Sequence, residues 1–236
     1  MGDDETLRRL VISKLSTENL SDAQIQSFVE FFKLIKEKEG KINLTAITND
    51  SEIVEKHFLD SISASRLIKT GGTLLDIGSG GGFPGIPLAI IRTDLNVVLL
   101  DSVAKKTDFT NFVICSLSIK NARVITARAE EIAHSELRQT FDYVVARAFA
   151  PLCQLVEIAI PFLKKGGKLI AYKGNNVEKE IADASGAIKL LDCEIRSVQH
   201  YSLESECQRS LVEIVKVNAT DAMYPRRYNK IKKLLL

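Results

Sequence analysis

The chain has 236 residues, 45% of them hydrophobic and 26% charged, with a formal net charge of +2. This suits one sizeable α/β domain plus an extension, and no apolar run is long enough to cross a bilayer. The start, MGDDETLRR, lacks the basic and apolar regions of a secretion signal, and Cys115, Cys153, Cys193 and Cys207 never form a CxxC pair, so a reduced, cytoplasmic protein without a metal site is expected.

Leu7, Leu10, Val11 and Leu15 share one helical face, so the spacing predicts a helix over 5–15. Ser21 with Gln24 forms a capping box ahead of a second helix carrying Ile25, Phe28, Val29, Phe32 and Ile35, with Gly40 as its stop. KINLTAIT, from Lys41 to Thr48, reads as a loop, and a third helix is expected from near Asp50 to Gly71–Gly72. Residues 1–71 therefore read as a helical extension packed on a core that begins at residue 72.

From Thr73 the pattern alternates. Strands are expected at 73–77, 96–100, 122–126, 141–146, 167–172, 190–199 and 210–217, with helices at 84–92, 103–117, 130–138, 151–164 and 176–188. Alternation of this kind means a mainly parallel sheet covered on both faces. The last two strands are too close for a crossover helix and are expected to form an antiparallel hairpin. Residues 72–218 are thus the core, and 219–236 a basic tail. From Arg209 onward there are seven cations against two acids, a balance that suits a polyanionic partner as well as a solvated surface.

The first strand runs into Gly78, Gly80, Gly81 and Gly82, followed by Phe83–Pro84. Glycines bring backbone N–H groups close to a ligand, and the helix behind them adds partial positive charge. The spacing is GxGxG preceded by Asp76, with Phe83 where a dinucleotide fingerprint has its third glycine. Asp101 ends the second strand, where an acid accepts hydrogen bonds from ribose hydroxyls; it could equally cap the next helix. Together the loop, Asp101 and hairpin resemble a class I S-adenosylmethionine-dependent methyltransferase, with Asp76, Gly78, Gly80, Gly82 and Phe83 at the methionine end. Arg147 and Lys173 end the fourth and fifth strands on the ligand-binding edge, and Arg209 opens the last strand.

A closer resemblance rests on NLTAI at Asn43–Ile47, HFLDS at His57–Ser61, DIGSGGGFPGIPLAI from Asp76, RAEE at Arg128–Glu131, ARAFA at Ala146–Ala150, AYKG at Ala171–Gly174 and YPRR at Tyr224–Arg227. These stretches are similar to the glucose-inhibited division protein B family, which methylates N7 of one guanine in a loop of bacterial 16S ribosomal RNA. The resemblance implies that Ala129 and Glu130 border the adenine of S-adenosylmethionine and that Asn43 and His57 shape the RNA side. It also implies that Arg147, Lys173 and Arg209 position the substrate, Arg147 touching the cofactor as well. Arg226, Arg227, Lys230, Lys232 and Lys233 are assigned to RNA phosphates. Two places depart from the family: Gly81 stands where alanine is common, and YNKIKKLLL replaces a tail with Gly and Pro among its lysines. The expected partner is 16S RNA or the small subunit, met by a monomer. A small-molecule methyltransferase, or an RNA-binding protein that keeps the cofactor loop, is the alternative.

Overall fold

The computed structural model describes residues 3–16, 18–38, 47–205 and 208–233. Among them, seven strands form one sheet: β1 (Gly72–Ile77), β2 (Leu95–Asp101), β3 (Ala122–Thr126), β4 (Phe141–Arg147), β5 (Leu163–Lys173), β6 (Cys193–Ser202) and β7 (Gln208–Lys216). Their order is β3-β2-β1-β4-β5-β7-β6. All neighbours run parallel except β7, which is antiparallel to β5 and β6. The order reverses between β1 and β4, so the loop after β1 and the end of β4 sit side by side at the edge where such sheets bind ligands.

Successive strand residues serve opposite faces, as the two-residue period requires. Leu74, Val97, Leu99 and Val145 join one buried cluster; Leu75, Val98, Leu100 and Val144 join the other. The first cluster is covered by α1 (Asp3–Lys14), α2 (Asp22–Glu37), α5 (Gly85–Ile91) and α6 (Ala104–Ser116), whose Val11, Phe28, Phe31, Ile86 and Phe109 are buried in it. The second is covered by α8 (Leu152–Ala159) and α9 (Val177–Leu190). The capping box at Ser21 is present: Gln24 N donates to Ser21 Oγ, and Ser21 N to Gln24 Oε1.

Several expected elements change length. The third helix breaks into α3 (Asp50–Ile53), a π-helical turn Val54–Leu59, α4 (Asp60–Ile62) and a 3-10 turn that stops at Leu67. π-turns recur where a helix is bent to serve a site, and this one carries His57. The helix expected over 130–138 shortens to α7 (Ala129–Ile132), and that over 151–164 ends at Ala159. Pro161 lacks an N–H and falls in a 3-10 turn, after which β5 starts at Leu163, pairing with Phe141. β6 begins at Cys193 because Leu190 and Leu191 finish α9, with Asp192 turning the chain at φ 51°.

The basic tail is more integrated than its composition suggests. Tyr224 and Ile231 are buried, and Tyr228–Lys233 forms α10. Arg138 donates to the carbonyls of Thr220, Asp221 and Tyr224.

Candidate functional site

Two adjoining cavities open at the carboxyl ends of the parallel strands. The larger, about 780 Å³, is lined by loop residues Gly78 to Gly81 and Phe83, and by His57, Asp60, Arg147, Lys173 and Arg209. The smaller, about 300 Å³, is lined by Asp101, Ser102, Ala129, Glu130, Arg128 and Tyr228. Gly78, Lys106, Ala148, Phe149 and Ala150 line both.

The loop explains the join. Gly78 sits at φ +73°, and a Cβ there would meet the Phe149 ring at 2.4 Å, so only glycine fits under it. The backbone N–H groups are mostly committed: Gly78 and Ser79 donate to Leu100 O, Gly80 to Asp101 Oδ2, and Gly82 and Phe83 to Ser79 O. This agrees with the absence of a dinucleotide fingerprint in the loop's spacing. A pyrophosphate cradle needs them free, whereas this loop turns them inward.

Asp76 differs from the expectation. It is fully buried, lines neither cavity, and accepts from Gly85 N through Oδ2 at 2.8 Å. A Cβ on Gly85 would meet that oxygen at 2.7 Å. Asp76 thus fixes the start of α5 through Oδ2, while its buried Oδ1 has no hydrogen-bond partner among the described residues. Burial raises its carboxyl to about 7, against the pull of the Gly85 N–H and Arg147. Gly82 likewise lines neither cavity and packs against Ile86.

Asp101 caps the next helix and also lines a cavity. Oδ1 accepts from Val103 N at the cap of α6 and Oδ2 from Gly80 N, both at 2.9 Å, and the carboxylate lines the smaller cavity. Each oxygen has a further lone pair for a ligand hydroxyl.

Around the larger cavity the cations are pinned. Arg147 Nη1 donates to Lys56 O at 2.8 Å and to Asp60 Oδ2 at 2.9 Å, Nη2 lies 3.3 Å from His57 Nδ1, and the guanidinium sits 5.3 Å from the centre of the Phe83 ring. His57 stacks on the same ring, 4.7 Å between centres. Burial first, then Arg147 and Lys56, lower its imidazole to about 3, so it is neutral and accepts from Arg147 at Nδ1. Lys173 Nζ donates to Glu180 Oε2 at 2.6 Å and to Ala150 O at 2.8 Å, which holds the loop carrying Phe149.

Sequence reasoning missed Asp60, Ser79, Phe149 and Tyr228. Asp60 is buried and joins three strands: beside Arg147 it accepts from Tyr201 Oη at 2.7 Å, and Arg209 Nε lies 3.8 Å from Oδ1. Its position in HFLDS was the available signal. Ser79 Oγ is buried at the larger cavity with no hydrogen-bond partner among the described residues. Gly40, Asn43 and Cys207 lie outside the described residues. Arg226 is a correction: it pairs with buried Glu157, Nε at 2.8 Å and Nη2 at 2.7 Å, while Arg227, Lys230, Lys232 and Lys233 stay exposed.

Comparison with known proteins decides the family. The GidB family, described as rRNA small subunit methyltransferase G, matches residues 24–212. The chain belongs to the rRNA small subunit methyltransferase G family. It is 43% identical over 218 residues to "Ribosomal RNA small subunit methyltransferase G" of Clostridium beijerinckii, covering 91% of each chain. Against the protein of the same description from Lachnoclostridium phytofermentans it is 43% identical over 222 residues, 92% of each. Solved structures agree on the fold. M. jannaschii TYW2 in complex with AdoMet superposes with TM-score 0.58 at 13% identity, over 75% of this chain and 81% of that one. A SAM-dependent methyltransferase from Aquifex aeolicus gives 0.54 at 16%, over 78% and 98%. The expected α/β methyltransferase fold, with seven mostly parallel strands and a closing hairpin, is the fold observed. Tyr228 lies beyond the span that the family model matches.

Proposed function

We propose that this member of the family transfers a methyl group from S-adenosylmethionine to N7 of one guanine in a loop of 16S ribosomal RNA. The observation that carries the reading is the pair of unlike cavities meeting at Gly78: a small one with Asp101 and Glu130, and a larger one rimmed by Arg147, Lys173 and Arg209.

The residues present fit the cofactor. Asp101 and Glu130 offer acceptors for ribose and adenine, and Ala129 leaves room beside them. The unpartnered Ser79 Oγ offers a polar contact at the methionine end, and the inward-turned N–H groups suit a ligand without phosphates. When bound, the cofactor supplies an electrophilic methyl group on a sulfonium.

The chain's own residues then have little proton chemistry to do. Guanine N7 carries an in-plane lone pair and no proton, so transfer needs alignment and exclusion of water more than a base. The neutral His57, with Nδ1 turned to Arg147, agrees with that. Arginine commonly binds both O6 and N7 of guanine, and a donor on N7 would block the nucleophile. Arg147 is held by Lys56, Asp60 and His57, which favours contact with O6 or the cofactor carboxylate and leaves N7 open. Arg209 stands on the RNA side, and Lys173 positions the Phe149 loop. The target base must be unpaired, because the deep groove of A-form RNA hides N7.

Methyl transfer from labelled S-adenosylmethionine to purified 16S RNA and to small subunits, followed by mapping of the modified base, tests the reading. Label at N7 of a single loop guanine is expected. Label elsewhere, or on small molecules only, would overturn it.

A further inference from the structure

Among the described residues, Tyr228 is the one that the smaller cavity draws from the C-terminal segment. The residue is 36% exposed, and Lys232 Nζ lies 5.5 Å from the ring centre. The segment is fixed from both sides. His134 Nε2 meets Pro225 O at 3.0 Å, Arg226 clasps Glu157, and Ile231 is buried in the core cluster. Tyr228 is thus held in the lining of the cavity that Asp101 and Glu130 also line, while Lys230, Lys232 and Lys233 face solvent within the same turn and a half of helix.

We propose that Tyr228 is a shared element of two binding events: its ring packs on the purine of the nucleoside in the smaller cavity, and through Lys232 it sets the basic turn that meets RNA phosphate. This rests on the reading that the smaller cavity holds the adenosine part of the cofactor. A purine has a flat apolar face but no charge for Asp101 or Glu130 to pair with; among the described residues Phe149 and Tyr228 are the rings that line this cavity, and Tyr228 is the one tied to the lysines. Packing a base on the ring fixes the ring, and a fixed ring holds the Lys232 ammonium over its face. Any contact that makes cofactor binding order the lysine turn must, by linkage, make RNA binding tighten cofactor binding by the same factor. The cavity and the lysines are then parts of one thermodynamic unit, not neighbours by accident.

The test uses the full chain and S-adenosylhomocysteine, titrated calorimetrically into wild type, Tyr228→Phe and Tyr228→Ala, with 16S RNA affinity measured with and without that ligand. Loss of base–aromatic packing should weaken S-adenosylhomocysteine about tenfold in Tyr228→Ala and leave Tyr228→Phe near wild type. RNA should bind wild type about fivefold more tightly when the ligand is present, and Tyr228→Ala should lose that gain. The ring is exposed enough for both variants to fold, and a melting curve of each checks this directly. Wild-type affinity in Tyr228→Ala, or a Tyr228→Phe protein as weak as Tyr228→Ala, overturns the ring-packing assignment. A full RNA gain in Tyr228→Ala, or none in wild type, overturns the coupling. Wild type that does not bind S-adenosylhomocysteine overturns this inference together with the reading beneath it.

Discussion

The two cavities share a wall but are built by different means. The smaller is shaped chiefly at strand ends, by the ends of β2 and β3, the start of α7, and a carboxylate at Asp101 whose oxygens already hold the loop and the cap of α6, with Tyr228 added from the C-terminal segment. The larger is shaped by side chains from distant parts of the chain. Among the described residues its five cations, Lys56, Lys106, Arg147, Lys173 and Arg209, face two acids, Asp60 and Glu180, each already paired to a cation. A cavity set at strand ends takes its shape from the sheet itself. A side-chain-built cavity of excess positive charge suits a flexible polyanion.

The largest effect should separate the cavities outright. Arg147→Met should lower the methyl-transfer rate by about a hundredfold or more, the scale for losing a preorganised donor, while S-adenosylhomocysteine affinity changes far less; single-turnover kinetics beside calorimetry would show this. The mirror experiment is Asp101→Ala. Removing a charged acceptor should cost about 2–3 kcal/mol of cofactor binding, roughly a hundredfold in Kd. Equal losses of binding and rate in both variants would dissolve the distinction.

Next, the cations of the C-terminal segment should divide. Arg226→Ala strands the buried Glu157 carboxylate and should cost about 3–5 kcal/mol of stability, read by urea unfolding. Replacing Lys230, Lys232 and Lys233 together by Gln should leave stability unchanged and flatten the salt dependence of RNA binding by about 2 in log–log slope, at ~0.7 per phosphate contact.

The effects of pH oppose one another and nearly cancel in the wild type. Asp76 is raised to about 7 by burial, so the native state keeps a proton that the unfolded chain releases near its ordinary 3.8, and stability falls as pH rises through that window. His57 is lowered to about 3, so the unfolded chain gains a proton below its ordinary 6.5 that the native state refuses, and stability falls as pH drops. Each slope is about 1.4 kcal/mol per pH unit and they oppose between about pH 4 and 6.5. His57→Gln should expose a net decline as pH rises there, and Asp76→Asn a net gain; identical profiles in denaturant titrations across pH would contradict both.

Much of the site was legible because parallel sheets bind ligands at strand ends, and Gly78, Asp101, Arg147 and Lys173 each follow or end an apolar strand. Asp60 and Tyr228 were hidden for the converse reason. Their partners are remote: Arg147 is 87 residues from Asp60 and Tyr201 is 141, and no local pattern encodes such a meeting. Arg226 read like its neighbours because Glu157, its buried partner, lies 69 residues away. The break of the third helix at Val54–Leu59 was hidden too, since Val54, Phe58 and Ile62 recur every four residues across it as they would in an unbroken helix.

Asp60 also ties the cationic cavity to the far edge of the sheet. Its carboxylate is met by Arg147 at the end of β4, by Tyr201 of β6 and by Arg209 of β7, so the cavity's anchor is complete only with the closing hairpin in place. Loosening that hairpin would leave Arg147 with Asp60 but without Tyr201 and Arg209 around its anchor, so a change at the far end of the sheet reaches the cavity through one carboxylate.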